Sequence, residues 1–431
     1  MKPKIRILLM CVGALLILGL VASLPPIWSR LQPRLSQVYA DFHYALNPPE
    51  KSAFTPQGGT PGAVSTAVVA TWQALTAQAP TPTPSPKPDI TATPEPTVEP
   101  SPTATPLPAP VNLTGIVHEY QKWNNCGPAT LSMGISYWVK GRTQDDTAPV
   151  LKPNPRDKNV MPMEMVDYIN EHTELSALWR LGGTLDLLKH LVAAGYPVIV
   201  EKGFDVAGEG WMGHYELVSG YDDARERFIT QDSYISKDLP VPYAQMEREW
   251  RAFANVFVVV YPPEKETELM AVLGQYADPT TSYTLSAEQA SVNIYALTDP
   301  RDIYFAWYAY GTSLMRLQDY NGAAAAYDAS FNAYDVIPED ANRPWRMLWY
   351  QTGPYFAYYY TGRMADVINL ATHTLDIMSE PVLEESYYWR GLALEASGDV
   401  NGAIADYRKA LEVHTDFGPA LTELERLGVS P

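Results

Sequence analysis

The hydrophobic and polar positions divide the chain into segments of very different character. Residues 7–24 form an almost unbroken apolar run that two prolines close. Eighteen helical residues measure about 27 Å, close to the thickness of the hydrocarbon layer of a bilayer. Lys2, Lys4 and Arg6 precede the run, and cations in this position keep the amino terminus in the cytoplasm. The pattern therefore predicts a signal anchor over 1–26, with the body exported.

A second interpretation of the same segment stays open. The small residues Val21-Ala22-Ser23 are typical of a signal cleavage site, in which case the body is secreted. The length of the apolar run fits an uncleaved anchor better. The polar and apolar pattern over 27–54 predicts a short juxtamembrane helix.

Proline dominates the next segment. Residues 55–110 are rich in Thr, Ala, Gly and Pro, and twelve of the 31 residues over 80–110 are proline. Such a sequence cannot bury a core and favours extended polyproline II structure. It predicts a linker that acts as a stalk and lifts the remainder off the membrane.

A mixed globular domain is predicted over 111–263. Apolar positions at helical spacing predict three helices, over 129–140, 163–171 and 184–194. Alternating and β-branched segments predict strands, over 198–200, 214–220, 227–232 and 255–261. Because the helices come first, the order predicts an α+β domain with N-terminal helices and a mainly antiparallel C-terminal sheet.

From 264 onward the pattern is helical and repetitive. Two sets of residues share the spacings 12, 4 and 3, namely Gly311, Ala323, Tyr327, Ser330 and Gly391, Ala403, Tyr407, Ala410. Small residues let two helices approach closely, and a tyrosine fills the gap between them. The pattern resembles the tetratricopeptide repeat, a helix-turn-helix unit that binds peptides and proteins. The resemblance implies an all-α repeat domain over 264–431.

The centre of this region follows the pattern less well. A degenerate unit is predicted over 349–377, with Gly362 in the turn position that Gly398 holds in the last unit. A generic helical bundle is the alternative interpretation.

Composition and charge exclude several classes of function. The 431 residues carry 31 basic and 49 acidic side chains, a net charge of −18, which is unsuited to binding nucleic acid. Two cysteines, Cys11 in the apolar run and Cys126, give no basis for a disulfide framework or a thiolate zinc cluster. The histidines occur singly, so no metal and no cofactor is predicted. Residues 264–431 carry 24 acidic and 10 basic residues, which predicts a preference for basic or neutral partners.

The most informative string is Gln121-Lys122-Trp123-Asn124-Asn125-Cys126-Gly127-Pro128-Ala129. Cys126 would lie just ahead of the predicted helix over 129–140. Free N–H groups and the dipole at a helix N-terminus stabilise a thiolate, which is the nucleophilic form of cysteine. The position therefore predicts a nucleophile at Cys126.

A second string supplies a base and a carboxylate. It runs from Gly213-His214-Tyr215 through a turn to Phe228-Ile229-Thr230-Gln231-Asp232. If the turn is centred on Asp223, His214 and Asp232 lie opposite each other, with Cβ atoms about 5 Å apart. Asp232 would then orient His214, which would activate Cys126.

Together these strings resemble the papain-like cysteine peptidases. The similarity is greatest to the bacteriocin-processing, or double-glycine leader, peptidases and their relatives without a transporter. The resemblance implies that Cys126 is the nucleophile, His214 the general base and acid, and Asp232 the orienting carboxylate. It also implies that Gln121 donates to the oxyanion with the Cys126 N–H. In the family this glutamine usually stands six residues before the cysteine, whereas here it stands five before.

Two functions of different class follow from the sequence. The first is an exported, membrane-anchored cysteine peptidase acting on a peptide or protein, with repeats that bind a protein partner. Hydrolysis and acyl transfer would use the same residues. The second is a non-catalytic, peptide-binding adaptor built on the same fold. No Walker-type glycine loop is present, which argues against a dedicated leader-peptide exporter.

Four further residues near the motifs have two interpretations each. Trp123, Trp211 and Tyr215 flank the motif residues and would either wall a substrate groove or pack in the core. His118 would either line the cleft or lie on the surface.

Overall fold

The computed structural model describes residues 25–49, 54–58, 107, 110–339 and 341–431. The predicted anchor over 7–24 and almost all of the linker lie outside these residues. Within the described ranges, no helix combines the length and apolarity needed to cross a membrane.

The described chain begins with one long helix and continues into a mixed α+β region. Its helices are α1 (Pro25–Leu46), α2 (Cys126–Trp138), α3 (Gln144–Leu151), α4 (Pro162–His172), α5 (Leu185–Ala193) and α6 (Tyr243–Arg251). Its strands are β1 (Val111–Asn112), β2 (Ser176–Arg180), β3 (Val198–Val206), β4 (Gly210–Asp222), β5 (Arg227–Gln231), β6 (Leu239–Pro242) and β7 (Phe257–Tyr261).

The strands form a single antiparallel sheet in the order β2-β7-β3-β4-β5-β6, with β1 paired to β4. All five residues of central strand β7 are buried, and three of them are valines. A β-branched run without polar positions is typical of a strand covered on both faces. The predicted α+β class with a mainly antiparallel sheet agrees with this topology.

The boundaries of the predicted elements need correction in several places. Helix α2 begins at Cys126, three residues before the predicted start, and ends at Trp138. Helix α5 fits its prediction closely, because the Thr184 side chain caps it by accepting from the Leu187 N–H. Five elements were not predicted: α3, α6, β1, β2 and β6. The sequence of α3 includes Pro149, which obscures its helical pattern.

The rest of the chain is helical. It contains α7 (Glu266–Leu273), α8 (Pro279–Ala296), α9 (Pro300–Arg316), α10 (Tyr320–Asp335), α11 (Met347–Tyr350), α12 (Gly353–Tyr360), α13 (Met364–Asp376), α14 (Glu384–Ala396), α15 (Val400–Val413) and α16 (Gly418–Arg426). Helix α7 packs on the sheet region, because Leu269 and Leu273 are buried in the same core as Tyr196.

Two helix pairs reproduce the predicted close approach of glycine and tyrosine. A Cβ at Gly311 would lie 2.9 Å from the ring of Tyr327, and one at Gly391 would lie 2.6 Å from the ring of Tyr407. Both distances are shorter than a real Cβ contact, so only glycine fits. The pairs α9–α10 and α14–α15 thus share one packing device at the same spacing.

The turns of the helix pairs are also alike. Gly362 and Gly398 both have positive φ, 76° and 94°, at the turn position that the sequence predicts. In the first pair the equivalent position holds Gln318, also with positive φ. Asp319 and Asp399 then cap the next helices by accepting from Gly322 and Gly402 N–H groups.

The sheet region and the helical region share one core. The ring of Trp211, on β4, lies 5.4 Å from Phe305 on α9 and 6.1 Å from Tyr350 on α11. Phe253 lies 5.8 Å from the same Tyr350 ring. The two regions are therefore packed as one body, with α11 against the sheet.

The segment before the linker contacts the region after it. The ring of Tyr44, on α1, lies 5.1 Å from Trp345, and the ring of Phe54 lies 5.1 Å from Phe331. Aromatic side chains on both sides of the linker therefore bury surface together. The predicted stalk itself lies almost entirely outside the described residues.

Candidate active site

Cys126 is the first residue of α2 and is half-buried. Its neighbour Asn125 is the N-cap residue, although its side chain makes no cap hydrogen bond. The N–H groups of the first helical turn have no partner within the helix. Gly127 is fixed by packing, because a Cβ there would lie 3.1 Å from Met165 and 3.2 Å from Val160. The sequence around the cysteine thus folds so that the thiol lies at an electropositive helix end.

His214 lies on β4 beside this thiol. Its imidazole lines the same cleft as Cys126 and is only 3% exposed. The ring lies 5.0 Å from Phe204 and 6.4 Å from Tyr234, which cover it from solvent. A backbone hydrogen bond from Tyr215 also contributes to lowering the pKa of the Cys126 thiol.

Asp232 completes a row of three side chains. Its Oδ2 lies 3.2 Å from Nε2 of His214, and the carboxylate is fully buried. Its Oδ1 accepts from the backbone N–H groups of Tyr234 and Ile235, each at 2.7 Å. The loop after β5 thus holds the carboxylate. The orientation of Asp232 is set by this loop as well as by its contact with His214.

The predicted hairpin register is wrong, although Asp232 still reaches His214. Leu217 pairs with Gln231 and Val218 with Thr230, which is two residues away from the predicted alignment. A 3-10 turn at Asp223–Arg225 and a bulge between Val218 and Gly220 cause the difference. A shift by two residues keeps each side chain on its face, whereas a shift by one would have reversed it.

The charges of the three groups depend on one another. Burial by itself lowers the pKa of His214, but hydrogen bonds to Asp232 and Cys126 outweigh it and raise the pKa to about 10. Burial alone would raise the pKa of Cys126, and the His214 hydrogen bond and charge bring it below its ordinary value. Burial likewise opposes ionisation of Asp232, yet His214 lowers the pKa of that carboxyl. The arrangement therefore favours a thiolate paired with an imidazolium.

Gln121 lines the same cleft but does not hydrogen-bond to the other three residues. Its Oε1 accepts from the Ser233 hydroxyl at 2.9 Å, and its backbone N–H donates to the Ser233 carbonyl at 2.9 Å. Ser233 directly follows Asp232, so one loop holds both the carboxylate and the glutamine. With Oε1 occupied, the amide nitrogen of Gln121 is the group left to act as a donor.

Lys152 is a buried cation beside the site that the sequence analysis did not identify. Its Nζ donates to the Asn124 carbonyl and contacts Oδ1 of Asn125 at 3.4 Å. Asn124 has φ of 58°, a left-handed conformation that asparagine tolerates. Burial lowers the pKa of Lys152 to about 8, against the raising effect of Asp157 and of Cys126. Only the fold brings this residue to the motif, since 26 positions separate it from the cysteine in sequence.

The structure decides between the two interpretations for the four neighbouring residues. Trp211 and Tyr215 are buried in the core, whereas Trp123 lines the cleft. His118 is neither a cleft wall nor free on the surface, because its Nε2 lies 2.9 Å from the Asp232 carbonyl oxygen. It supports the backbone at the carboxylate. Among the described residues, no cluster of acids, histidines and cysteines has the geometry of a metal site.

Three parts of the chain enclose the cleft above Cys126 and His214, which has a volume of about 740 Å³. The sheet region contributes Cys126 and His214 with Trp123, Phe204 and Tyr234. Helix α1 contributes Gln37, Ala40, Asp41 and Tyr44. The helical region contributes Trp345, Arg346, Trp349 and Tyr350. A ligand of peptide size entering the cleft would contact all three.

Comparison with known proteins matches part of the chain to a peptidase family. Residues 113–258, less than half of the chain, match the family model described as the Peptidase C39 like family. A solved structure described as a C39-like peptidase from Bacillus anthracis is 16% identical, covering 36% of this chain and 98% of that chain, with a TM-score of 0.30. None of the curated proteins matches the sequence. The family match supports a papain-like domain of this family and, with it, a cysteine peptidase.

Proposed function

We propose that the protein is an exported cysteine peptidase, anchored in the membrane by its N-terminal segment and binding peptide or protein through its helical region. The single observation that carries the proposal is the contact of Cys126 with His214 and of His214 with Asp232 at the cleft. The match to the Peptidase C39 like family supports the same reaction class.

In the proposed mechanism, the Cys126 thiolate attacks the carbonyl carbon of a peptide bond. The carbonyl oxygen becomes negative and accepts hydrogen bonds from the Cys126 N–H and the Gln121 amide. The His214 imidazolium then donates its proton to the amide nitrogen, and the C–N bond breaks. The products of this step are a free amine and a thioester on Cys126.

Water completes the proposed cycle. Neutral His214 takes a proton from a water molecule, whose oxygen attacks the thioester carbonyl. The C–S bond breaks, the carboxylic acid leaves, and the thiolate and imidazolium are restored. If an amine replaces water in this step, the same residues carry out acyl transfer.

The helical region is proposed to take part in substrate binding. Arg346 fixes the helical region at the cleft, because it donates to the carbonyl oxygens of Glu209 and Trp211 at 2.8 and 2.9 Å. Trp345 and Trp349 then form one wall of the cleft. Flat aromatic walls bind the backbone and apolar side chains of an extended peptide. The acidity of the region favours basic or neutral partners.

The experiment that tests this function uses a peptide carrying a thiol-reactive electrophile. The full chain should be labelled at Cys126 in the native state much faster than after denaturation. Cys126→Ala removes the only cysteine outside the apolar run, whereas Cys11→Ala is the matched control and should label normally. Released peptides, identified by mass spectrometry with and without Cys126→Ala, would then define the cleaved bond.

The adaptor alternative gives a different result in the same experiment. If native Cys126 reacts no faster than the denatured thiol, and Cys126→Ala still binds peptides equally well, the protein is a binding module. The peptidase proposal would then be rejected.

A further inference from the structure

Helix α1 presents two opposite faces. One face lines the cleft with Gln37, Ala40, Asp41 and Tyr44. The other carries five exposed apolar side chains, here called the outer stripe: Leu35 (55% exposed), Val38 (66%), Tyr39 (51%), Phe42 (65%) and Leu46 (65%). With 3.6 residues per turn, these positions fall on one side of the helix, about half a turn away from the cleft face.

The outer stripe belongs to the folded protein because α1 and the segment after it are held in place. The hydroxyl of Tyr44 accepts from the Ser379 N–H at 3.1 Å. Further along, the backbone N–H groups of Gln57 and Gly58 donate to Asp366 at 2.6 and 3.0 Å. Asp366 is buried and also pairs with Arg363 at 2.8 Å. The stripe is therefore a fixed apolar surface on the side of α1 away from the active-site cleft.

The chain before α1 indicates what covers this surface. The apolar run over 7–24 ends where α1 begins, at Pro25. Leu35 stands ten residues further on, about 15 Å along the helix. If the run over 7–24 spans a bilayer, the surface of that bilayer lies close enough for the outer stripe to contact it. The mixture of Leu, Val, Phe and a tyrosine is typical of a helix lying at the boundary between headgroups and acyl chains.

We propose that the outer stripe of α1 lies in the surface of the bilayer that anchors the protein, so that the active-site cleft opens beside the membrane. This inference rests on the proposed anchoring by the N-terminal segment. None of the five side chains of the outer stripe is charged, so attraction to anionic headgroups does not explain the contact. Apolar burial is the driving term, and binding should depend little on anionic lipid or salt.

The position of the cleft follows from this contact. Since α1 lies between the bilayer and the cleft, Cys126 and His214 face a substrate that is close to the membrane. Exported peptides or the membrane-proximal segments of anchored proteins are substrates of this kind.

The test uses the full chain in lipid nanodiscs loaded with one chain each. In a Cys11→Ala, Cys126→Ala background, the variants Val38→Cys, Gln37→Cys and Glu425→Cys each carry an environment-sensitive fluorophore. Val38 is on the outer stripe, Gln37 on the cleft face of the same helix, and Glu425 is exposed on α16. Nitroxide-labelled phosphatidylcholine serves as the quencher.

We expect about a twofold loss of emission at position 38 and little change at 37 or 425, because only the stripe would enter the lipid. The result should be the same in pure phosphatidylcholine and at high salt. An unquenched label at 38 in discs that retain the protein would overturn the inference and leave the anchoring intact. Protein that does not remain in the discs would overturn both.

Other occupants of the stripe give their own results. If the label at position 38 is shielded only in discs that hold two chains, a second copy of the protein covers the stripe. That result overturns the inference. Quenching that requires anionic lipid identifies charge rather than apolar burial as the cause, and also overturns it. The reaction of Cys126 with a peptide electrophile is measured on the wild-type protein. That experiment tests the peptidase proposal independently of the membrane contact.

Discussion

Across the hairpin, Asp232 lies two residues away from the position directly opposite His214, yet its side chain contacts the histidine. Nε2 and Oδ2 are 3.2 Å apart, although the strand pairing aligns Leu217 with Gln231. The aspartate has left β5 by this point, and its loop aims the carboxylate back along the sheet. The contact therefore depends on the loop after β5 as much as on the strands.

The charge state of Cys126 predicts a pH range for its reactivity. The pKa of the thiol is lowered and that of His214 is raised to about 10, so thiolate and imidazolium coexist between the two values. Alkylation of Cys126 should begin at a lower pH than for an ordinary thiol. Turnover should fall again near pH 10, as His214 loses the proton that the leaving amine requires. Alkylation rates followed by mass spectrometry check this.

The control for that experiment is His214→Ala, in which alkylation should begin only near the ordinary pKa of cysteine. Wild-type alkylation with the same pH profile as this variant would contradict the ion pair.

Replacing Asp232 should affect both turnover and stability. We expect Asp232→Ala to lower kcat on the order of a hundredfold, because orienting the base is worth less than supplying it. It also leaves the partly buried N–H groups of Tyr234 and Ile235 without their acceptor, at a cost of about 1 kcal/mol in the free energy of unfolding. Asp335→Ala, at an exposed carboxylate in the helical region, is the control and should change neither quantity.

The pH dependence of stability gives an independent check on Asp232. Its pKa is lowered on folding, so the ionised carboxylate stabilises the protein above the pKa it has in the unfolded chain. This contribution is lost as the pH falls through the lowered value. In Asp232→Asn the melting temperature should therefore depend less on acid pH than in the wild type.

Gln121→Ala tests the oxyanion role at the altered spacing. Loss of one donor is expected to cost about 3 kcal/mol of transition-state stabilisation, which lowers kcat on the order of a hundredfold. Ser233→Ala removes the hydroxyl that holds Oε1 and should give a smaller loss. Normal turnover in Gln121→Ala would remove the glutamine from the mechanism and leave the other three residues in place.

Lys152 is predicted to act through the loop that directly precedes Cys126. Lys152→Met should raise the pKa of Cys126 and lower the melting temperature, because it removes a positive charge and leaves the Asn124 carbonyl unpaired. Lys152→Arg should restore part of both. Lys237→Met, at an exposed lysine, is the control. An unchanged alkylation profile in Lys152→Met would limit the residue to a structural role.

The close packing of Gly391 on Tyr407 predicts a change of stability without a change of reactivity. A Cβ would lie 2.6 Å from the ring, so Gly391→Ala should lower the free energy of unfolding by about 1–3 kcal/mol. Gly418→Ala is the matched control, because a Cβ there meets nothing within 4 Å. Labelling of folded protein at Cys126 should be normal in both. Equal melting temperatures for the two variants would contradict the packing argument.

The sequence by itself determined the features that depend on neighbouring residues. Helical spacing predicted the pairs in which Gly311 and Gly391 pack on tyrosines, because i, i+3 and i+4 positions share a helix face. Alternation and β-branched runs predicted the central strands, and the residues around Cys126 predicted a helix start close to it. These patterns act over one or two turns of chain, so they can be read without the fold.

Only the tertiary structure decided the features that join distant segments. A short turn and a bulge set the hairpin register, and neither has a clear sequence signal. The fold also places Lys152 against the loop that precedes Cys126. It places Trp345, Trp349 and helix α1 along the cleft. Such contacts arise from the burial of surfaces that lie far apart in the chain. Their energy depends on how those surfaces fit together, which local spacing does not encode.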